Sequence, residues 1–436
     1  MSEDQVAMNP YIAHLSDKVA ADPQMFGPKS ANQAALGHAG LPTPGGFCLS
    51  VNAYRAQLDA LGLTETAEQA MSLDFGEARP LISRVRIALF DEPIAPKISD
   101  LLRQAYRDLV GDTAMPLAVR SSSLMEDTEG SSFAGQFQTF LGIKSEEDFF
   151  TSIRACWGAL WSSRALRYMD DKGISAVDAA MAVLVQPLVN AIASGGGMSQ
   201  TANDGMSVTA TWGLGETIAQ GEVVPDQYDL DAAGKLISTA SGRKEHTLQC
   251  MHSQTAPSTR AVERGKVSKP CLNEDQVHQL ADMMKVAEDL TGGPVEVEWA
   301  MDEVGIKMLQ ARPLHLGTAH VPDEIWLQHP GLRGQPGGVG WGSGRACVIN
   351  CECELGRVGQ GDVLVTRVAG PALSQLLPKV SGVVAELGGS TSHLASLARE
   401  RGIPMVLGVL DATHQISDGD QVAVDGVAGI VRWIES

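Results

Sequence analysis

In the C-terminal quarter of the chain, apolar positions gather in short runs: "GDVLVTRV", "VSGVVAEL", "IPMVLGV", "QVAVDG" and "GIVRWI". Runs of this length, rich in Val and Ile and bounded by Gly, Pro or Asp, predict β-strands. One stretch among them changes period. After Gly388-Gly389, the apolar residues Leu394, Leu397 and Ala398 recur at helical spacing. Ser390, Thr391 and Ser392 each suit a helix start, Gly402 suits its end, and Pro404 forbids its return. The pattern predicts a helix whose first turn holds His393.

Upstream, "VEVEWAMDEVGIKMLQARP" contains two alternating runs joined at "DEVG". A three-residue loop, Glu303-Val304-Gly305, with Gly at the left-handed position, predicts a hairpin in which Asp302 closes against Ile306. Counting back sets Glu298 opposite Gln310 and Glu296 opposite Arg312, all on one side of the ribbon. Val295, Val297, Leu309 and Ala311 fill the other side. Further towards the N-terminus, "PLAVR" reads as a strand ending at Arg120, and "CWGALWSSRALRY" sets Trp157 and Trp161 at helical spacing as core residues. From residue 317 on, "GTAHVPDEIWLQHPGLRGQPGGVGWGSG" is dense in Gly and Pro and lacks periodicity, so it reads as a linker. The expected fold class is α/β (α+β), with a first domain over 1–316, a linker over 317–329 and a smaller domain over 330–436.

Composition narrows the function classes. The 436 residues are 44% hydrophobic and 19% charged, the balance of a soluble globular protein. The net charge of −19 argues against a nucleic-acid partner or an anionic membrane. A phosphate-rich ligand would have to meet a few local cations. The opening "MSEDQVAMNP" has no apolar leader, and "AMAVLVQPLVNAIA" is interrupted by Gln186, Pro187 and Asn190, so neither a signal peptide nor a membrane span is expected. Seven cysteines without a framework suit a reducing cytoplasm. Cys347, Cys351 and Cys353 in "CVINCEC" read as alternating strand cysteines, since a fourth metal ligand at familiar spacing is missing.

Three kinds of site follow. At the mouth of a helix, unpaired backbone N–H groups and the dipole welcome phosphate, and a neutral imidazole can accept a phosphoryl group and pass it on. A capping histidine without chemistry is the alternative reading of His393. On the hairpin, two carboxylates, an amide oxygen and a guanidinium on one face suit a magnesium–triphosphate; an exposed ribbon with a surface Glu–Arg pair is the alternative. Isolated cations beside glycine-rich turns complete the set: Lys29 in "FGPKSAN", and Arg120 before a loop holding Gly130, Ser131, Ser132 and Gly135. Gln186 in "VLVQPLV" and Glu216 in "GLGETIAQGE" lie in similar stretches.

"GGSTSHLASLARERGIPMVLGV", followed by "DATHQISDGDQVAVDG", resembles the swivelling phosphohistidine domain of the phosphoenolpyruvate synthase, pyruvate phosphate dikinase and rifampin phosphotransferase family. The N-terminal stretches resemble, in order, that family's ATP-grasp nucleotide-binding domain, and "EVEW…LQARP" is similar to its "DIEW…LQARP". The resemblance implies that His393 is the phosphorylated intermediate. It also implies that Lys29, Arg120, Gln186, Glu216, Gln310 and Arg312 contact ATP. Glu298 and Gln310 would hold Mg²⁺, with Glu296, where the family carries Asp, as a third candidate. Arg164 is similar to a family arginine near the phosphates, and Thr391 to a threonine that a regulatory kinase modifies in some relatives.

The implied activity is that of a cytoplasmic dikinase: ATP phosphorylates His393, AMP and phosphate leave, and the phosphoryl group passes to pyruvate or another small molecule. Several motifs depart from the family. "GGK" is "GPK" at 27–29, "SGVxFT" becomes "SGGGMSQ" at 194–200, and "T-D-P" becomes "AGP" at 369–371. No pyruvate-binding barrel is expected after Ser436, and the linker is too short for an inserted acceptor domain. Three readings follow: a complete small-molecule kinase, the ATP-and-histidine subunit of a split complex with a separate acceptor chain, or a non-catalytic nucleotide-responsive regulator.

Overall fold

The computed structural model describes residues 9–73, 75–113, 115–126, 137, 139–171, 179–201, 204–249, 257–314 and 331–434. Helices and sheets are mixed throughout, as the α/β expectation required. The chain forms two compact units. The first comprises the described residues up to Val189 together with Pro257 and Lys307–Gln310; the second comprises those of Asn190–Gln249, Ser258–Ile306 and Ala311–Ser436. No helix among the described residues is long and apolar enough to cross a membrane.

The first unit is built on an antiparallel sheet of five strands: β1 (Ile12–His14), β2 (Phe47–Leu49), β3 (Leu117–Ser123), β4 (Thr139–Ile143) and β5 (Met181–Pro187), in the order β1-β2-β5-β3-β4. The central strands are buried almost throughout, which explains the continuous apolar run "MAVLV" in β5. Helix α1 (Pro23–His38) begins with Asp22 accepting from Gln24 N and Pro23 in its first turn. It is broken at Gly27, where φ is 72°. The break lets the backbone of α1 come against that of β3, since a Cβ on Gly27 would run into Ser122 O. Ser122 Oγ then donates to Phe26 O at 3.0 Å and accepts from Ser30 N at 3.3 Å.

Gly27→Ala should therefore cost roughly 2–4 kcal/mol, combining left-handed strain with overpacking. Gly40→Ala, at φ 85° with nothing within 4 Å, serves as the strain-only control. Urea midpoints of the two variants check the difference.

The second unit holds two larger sheets. One contains β6 (Ala193–Met198), β7 (Met206–Trp212), β8 (Asp226–Leu230), β9 (Leu236–Ala240), β12 (Val295–Met301) and β13 (Ile306–Pro313), in the order β13-β12-β6-β7-β8-β9. A separate ribbon pairs β10 (His246–Gln249) with β11 (Ser258–Ala261). At the β12–β13 turn, Asp302 N donates to Gly305 O, and Asp302 Oδ1 accepts from Val304 N and Gly305 N.

The other sheet has eight strands: β14 (Leu332–Arg333), β15 (Gln335–Pro336), β16 (Trp341–Ile349), β17 (Val363–Val368), β18 (Gly382–Leu387), β19 (Met405–Leu407), β20 (Gln421–Asp425) and β21 (Ile430–Trp433). Their order is β14-β21-β20-β16-β17-β18-β19-β15. Strands β16 to β19 run parallel around a Val-rich core.

The C-terminal part of the glycine-rich stretch, from residue 332 on and so within the expected domain over 330–436, forms β14, β15 and the start of β16. Its glycines serve close backbone approach: a Cβ on Gly342 would meet Ser381 O, and one on Gly344 would meet Gly361 O. The expected linker over 317–329 lies outside the described residues.

Candidate functional site

In the first unit, Ala118 and Arg120 of β3 stand opposite Gln186 and Leu184 of β5, so Arg120 and Gln186 project from the same face of the sheet. That face also carries Ser122, the anchor of α1. Arg120 Nη2 donates to Gln310 Oε1 at 2.9 Å, and Nη1 donates to Leu309 O at 3.3 Å. Gln186 Nε2 donates to Gln33 Oε1 at 2.8 Å and to Gly45 O at 3.2 Å. Gln33 in turn donates to Met308 O at 3.0 Å. The segment 307–310 is thus tied into this unit through Arg120 and Gln33.

Lys29 emerges just past the Gly-Pro break. Its ammonium donates to Glu126 Oε1 at 2.9 Å and to Ser121 O at 3.3 Å, at the end of β3. Glu126 is fully buried and accepts a second bond from Ser123 N. Sequence reasoning passed over Glu126. Its only signal was an acid at the end of the small-residue run "RSSSLME". The loop residues Gly130, Ser131, Ser132 and Gly135 lie outside the described residues.

In the second unit, helix α6 (His393–Arg401) follows β18, and His393 is its first residue. Ser392 is the cap and accepts from Ala395 N; Gly402, at φ 69°, ends the helix. This is the local structure that Ser392, the apolar spacing and Gly402 predict. His393 is half-buried, and most of the helix behind it is buried.

The same unit brings α6 to the sheet that carries the hairpin acids. Across β12 and β6, Glu298 stands opposite Gly196 and Glu296 opposite Met198, which sets both acids on one face. Thr391 covers Gly196 on that face and shares a 2.8 Å hydrogen bond with Thr209 Oγ1. Glu296 Oε2 accepts from Arg312 Nη2 at 3.0 Å, and Leu314 N bonds Pro294 O. Both contacts follow the register counted from the turn. The same oxygen also accepts from Arg399 Nη2 of α6 at 2.9 Å. Arg399 was not singled out from sequence, because an arginine in the last turn of a helix is ordinarily explained by the dipole. Glu216 begins a single-turn helix, where its Oε1 accepts from Gln220 Nε2.

Trp157 and Trp161 are core residues. Arg164 lines a surface cavity of about 490 Å³ with Arg86 and Phe90. The cysteine reading needs correction. Cys347 is buried in β16, but the strand ends at Ile349, and Cys351 and Cys353 are joined by a disulfide. The turn into the 3-10 segment Glu352–Arg357 brings their Cα atoms to 5.3 Å, which alternating strand positions would not give a disulfide's geometry.

Burial pushes the thiols of Cys48, Cys156, Cys271 and Cys347 up. After mild reduction of the native protein, alkylation at pH 8 is expected on Cys351 and Cys353 and not on those four. Peptide mapping checks it.

Comparison with known families bears directly on this arrangement. Residues 23–325, well over half of the chain, match the model described as pyruvate phosphate dikinase, AMP/ATP-binding domain. The chain belongs to that family. Residues 358–429, which include α6 and His393, match the PEP-utilising enzyme mobile domain. Similar proteins include a probable phosphoenolpyruvate synthase of Pyrococcus abyssi, 30% identical over 97% of this chain and 58% of its own length. The phosphoenolpyruvate synthase of Aeropyrum pernix is 32% identical over 93% and 56%, and that of Pseudomonas aeruginosa 29% over 97% and 58%. The chain spans about three-fifths of the length of these curated relatives.

Proposed function

We propose that this chain performs the ATP half of a dikinase-type reaction, with His393 as the phosphoryl carrier. One observation supports this above the others: His393 opens a capped helix inside the stretch that matches the mobile-domain family, at the helix end that suits a phosphoryl anion. In this reading residues 1–316 act as an ATP-grasp nucleotide-binding domain and 330–436 as the swivelling domain.

Lys29, Arg120 and Arg312 neutralise ATP phosphates, the loop of Gly130, Ser131, Ser132 and Gly135 wraps them, and Gln186, Glu216 and Gln310 make the remaining nucleotide contacts. Lys29 is held ready by Glu126, and Arg120 by Gln310. Catalysis would come from positioning and charge neutralisation, as in phosphoryl transfer generally.

Glu298, half-buried on the acid face, and Gln310, with its amide oxygen, are the residues that would hold Mg²⁺ in this reading. A cation that keeps waters and phosphates in its shell needs no larger protein cage. When bound, it supplies charge stabilisation to the phosphates. Glu296 is the weaker metal candidate, because two guanidinium groups already engage its carboxylate.

The imidazole attacks the β-phosphorus, AMP departs, the γ-phosphate is lost by hydrolysis as inorganic phosphate, and phospho-His393 passes its group to a small acceptor. Pyruvate is the acceptor that the relatives' names suggest. Incubation with Mg²⁺ and ATP labelled separately at the β and γ positions tests the reading. Acid-labile β-label on the protein, with AMP as product, supports it; γ-label with ADP sinks it. An acceptor site on a separate chain remains the second form of the proposal.

A further inference from the structure

Strand β6 holds three consecutive glycines, Gly195-Gly196-Gly197, although it is bonded on both sides, by β12 and β7. Glycine weakens an interior strand unless something must come close. Each has a different neighbour here. Gly195 backs onto the Thr209 carbonyl, Gly197 faces Met284 and Val297, and Gly196 faces Thr391. A Cβ on Gly196 would lie 2.7 Å from Thr391 Cβ, so the missing side chain is a notch that Thr391 fills. Two residues later comes His393.

A charged clamp lies beside the notch. Arg399, on the same helix as His393 and 8% exposed, reaches three partners. Its Nη2 donates to Glu296 Oε2 on β12, 103 positions away in sequence, and its Nη1 to Ser390 O in the loop before His393 and, at 3.4 Å, to Gly337 O. Ser396 Oγ reaches the same Glu296 oxygen at 3.5 Å. Glu296 thus separates two cations, Arg312 and Arg399, that would otherwise face each other in a buried setting. Among the described residues, Ser390 Oγ and Gln335 Oε1 beside this contact are buried with no protein hydrogen-bond partner, and a buried polar atom left unpaired costs stability.

We propose that Glu296 and Arg399 are positioning residues which, with the Gly196 notch, form a latch holding the His393 loop on the six-stranded sheet. Release of this latch frees His393 to travel. What the movement is for rests on the phosphohistidine reading above; the latch itself is measurable without nucleotide.

The experiment uses the full chain carrying Thr209→Cys and Thr391→Cys, whose hydroxyls are 2.8 Å apart in the docked state. Oxidised glutathione should join them by thiol–disulfide exchange, releasing two glutathione thiols, as mapped by peptide mass. At equilibrium in a glutathione redox buffer, adding Glu296→Gln should lower the ratio of joined to open protein at least tenfold, and Arg399→Lys, which keeps the charge but loses the fork, should lower it less. No cross-link, or equal ratios with and without Glu296→Gln, overturns the latch.

Hydrogen exchange supplies a second reading. Amides of residues 390–396 should exchange at least tenfold faster in Glu296→Gln while those of β17 and β18 hold their rates, and no change at 390–396 overturns the proposal. If Glu296→Gln unfolds the unit outright, the unsubstituted protein decides. Its 390–396 amides should open with a weaker denaturant dependence than those of β17 and β18, and identical dependence overturns it. The cross-linked protein should also lose transfer from His393 and regain it with dithiothreitol. Failure of His393 to take label from ATP at all would sink the phosphohistidine reading and leave the cross-linking and exchange results standing.

Discussion

His393→Ala should leave the fold unchanged and abolish labelling of the protein by β-labelled ATP, a loss of roughly a thousandfold or more, as for removal of a nucleophile. The structure explains why the fold survives. The helix start depends on Ser392, whose side chain accepts from Ala395 N, and the buried face of α6 is made by Leu394, Leu397 and Ala398. His393 is only half-buried at the first position, so truncation removes little packing. Near-native circular dichroism and melting, with no acid-labile label, is the expected pair of results. Label that persists in His393→Ala places the phosphoryl group on another side chain, and the carrier assignment then fails.

The second large effect is on stability. Lys244 and Asp226 form an ion pair in which both side chains are completely buried. Asp226 also accepts from Gly242 N and Cys271 N, each at 2.8 Å, so one carboxylate joins β8 to two other segments of the second unit. Asp226→Asn keeps the volume but leaves the ammonium without a counter-charge. Breaking a buried pair from one side costs about 3–5 kcal/mol, because the remaining charge stays desolvated. The expected outcome is a large drop in the urea midpoint of the unit that contains β8. The double change Asp226→Asn, Lys244→Met should recover part of the loss, since it removes the stranded charge. A single variant as stable as the parent would mean that water reaches Lys244, against the burial seen here. By contrast, the exposed pair Arg243–Glu245 should contribute little.

Much of the local structure was legible. The strands of the C-terminal quarter, the capped helix at His393 and the turn at Asp302–Gly305 all rest on interactions within a few residues. Such patterns are written in spacing alone: period two for strands, 3.6 for helices, and Gly where φ must be positive. Glu296 and Arg312 could be set on one face for the same reason, and their ion pair bears that out. Where glycines were dense, the strands were not legible: in residues 331–344 close backbone approach and chain flexibility call for the same residue. Cys351 and Cys353 misled similarly, since the end of β16 leaves no periodic mark.

By itself, then, the amino-acid order determined the class of fold, the helix that presents His393, and which side chains share a face of each strand. Tertiary structure alone decided who meets whom across long separations: Lys29 with Glu126, Arg120 with Gln310, Arg399 with Glu296, and Thr391 with the notch at Gly196. The physical reason is that periodicity fixes the direction of a side chain relative to its own backbone. The partner arrives from a distant segment, whose approach is set by packing of the whole unit rather than by any local spacing.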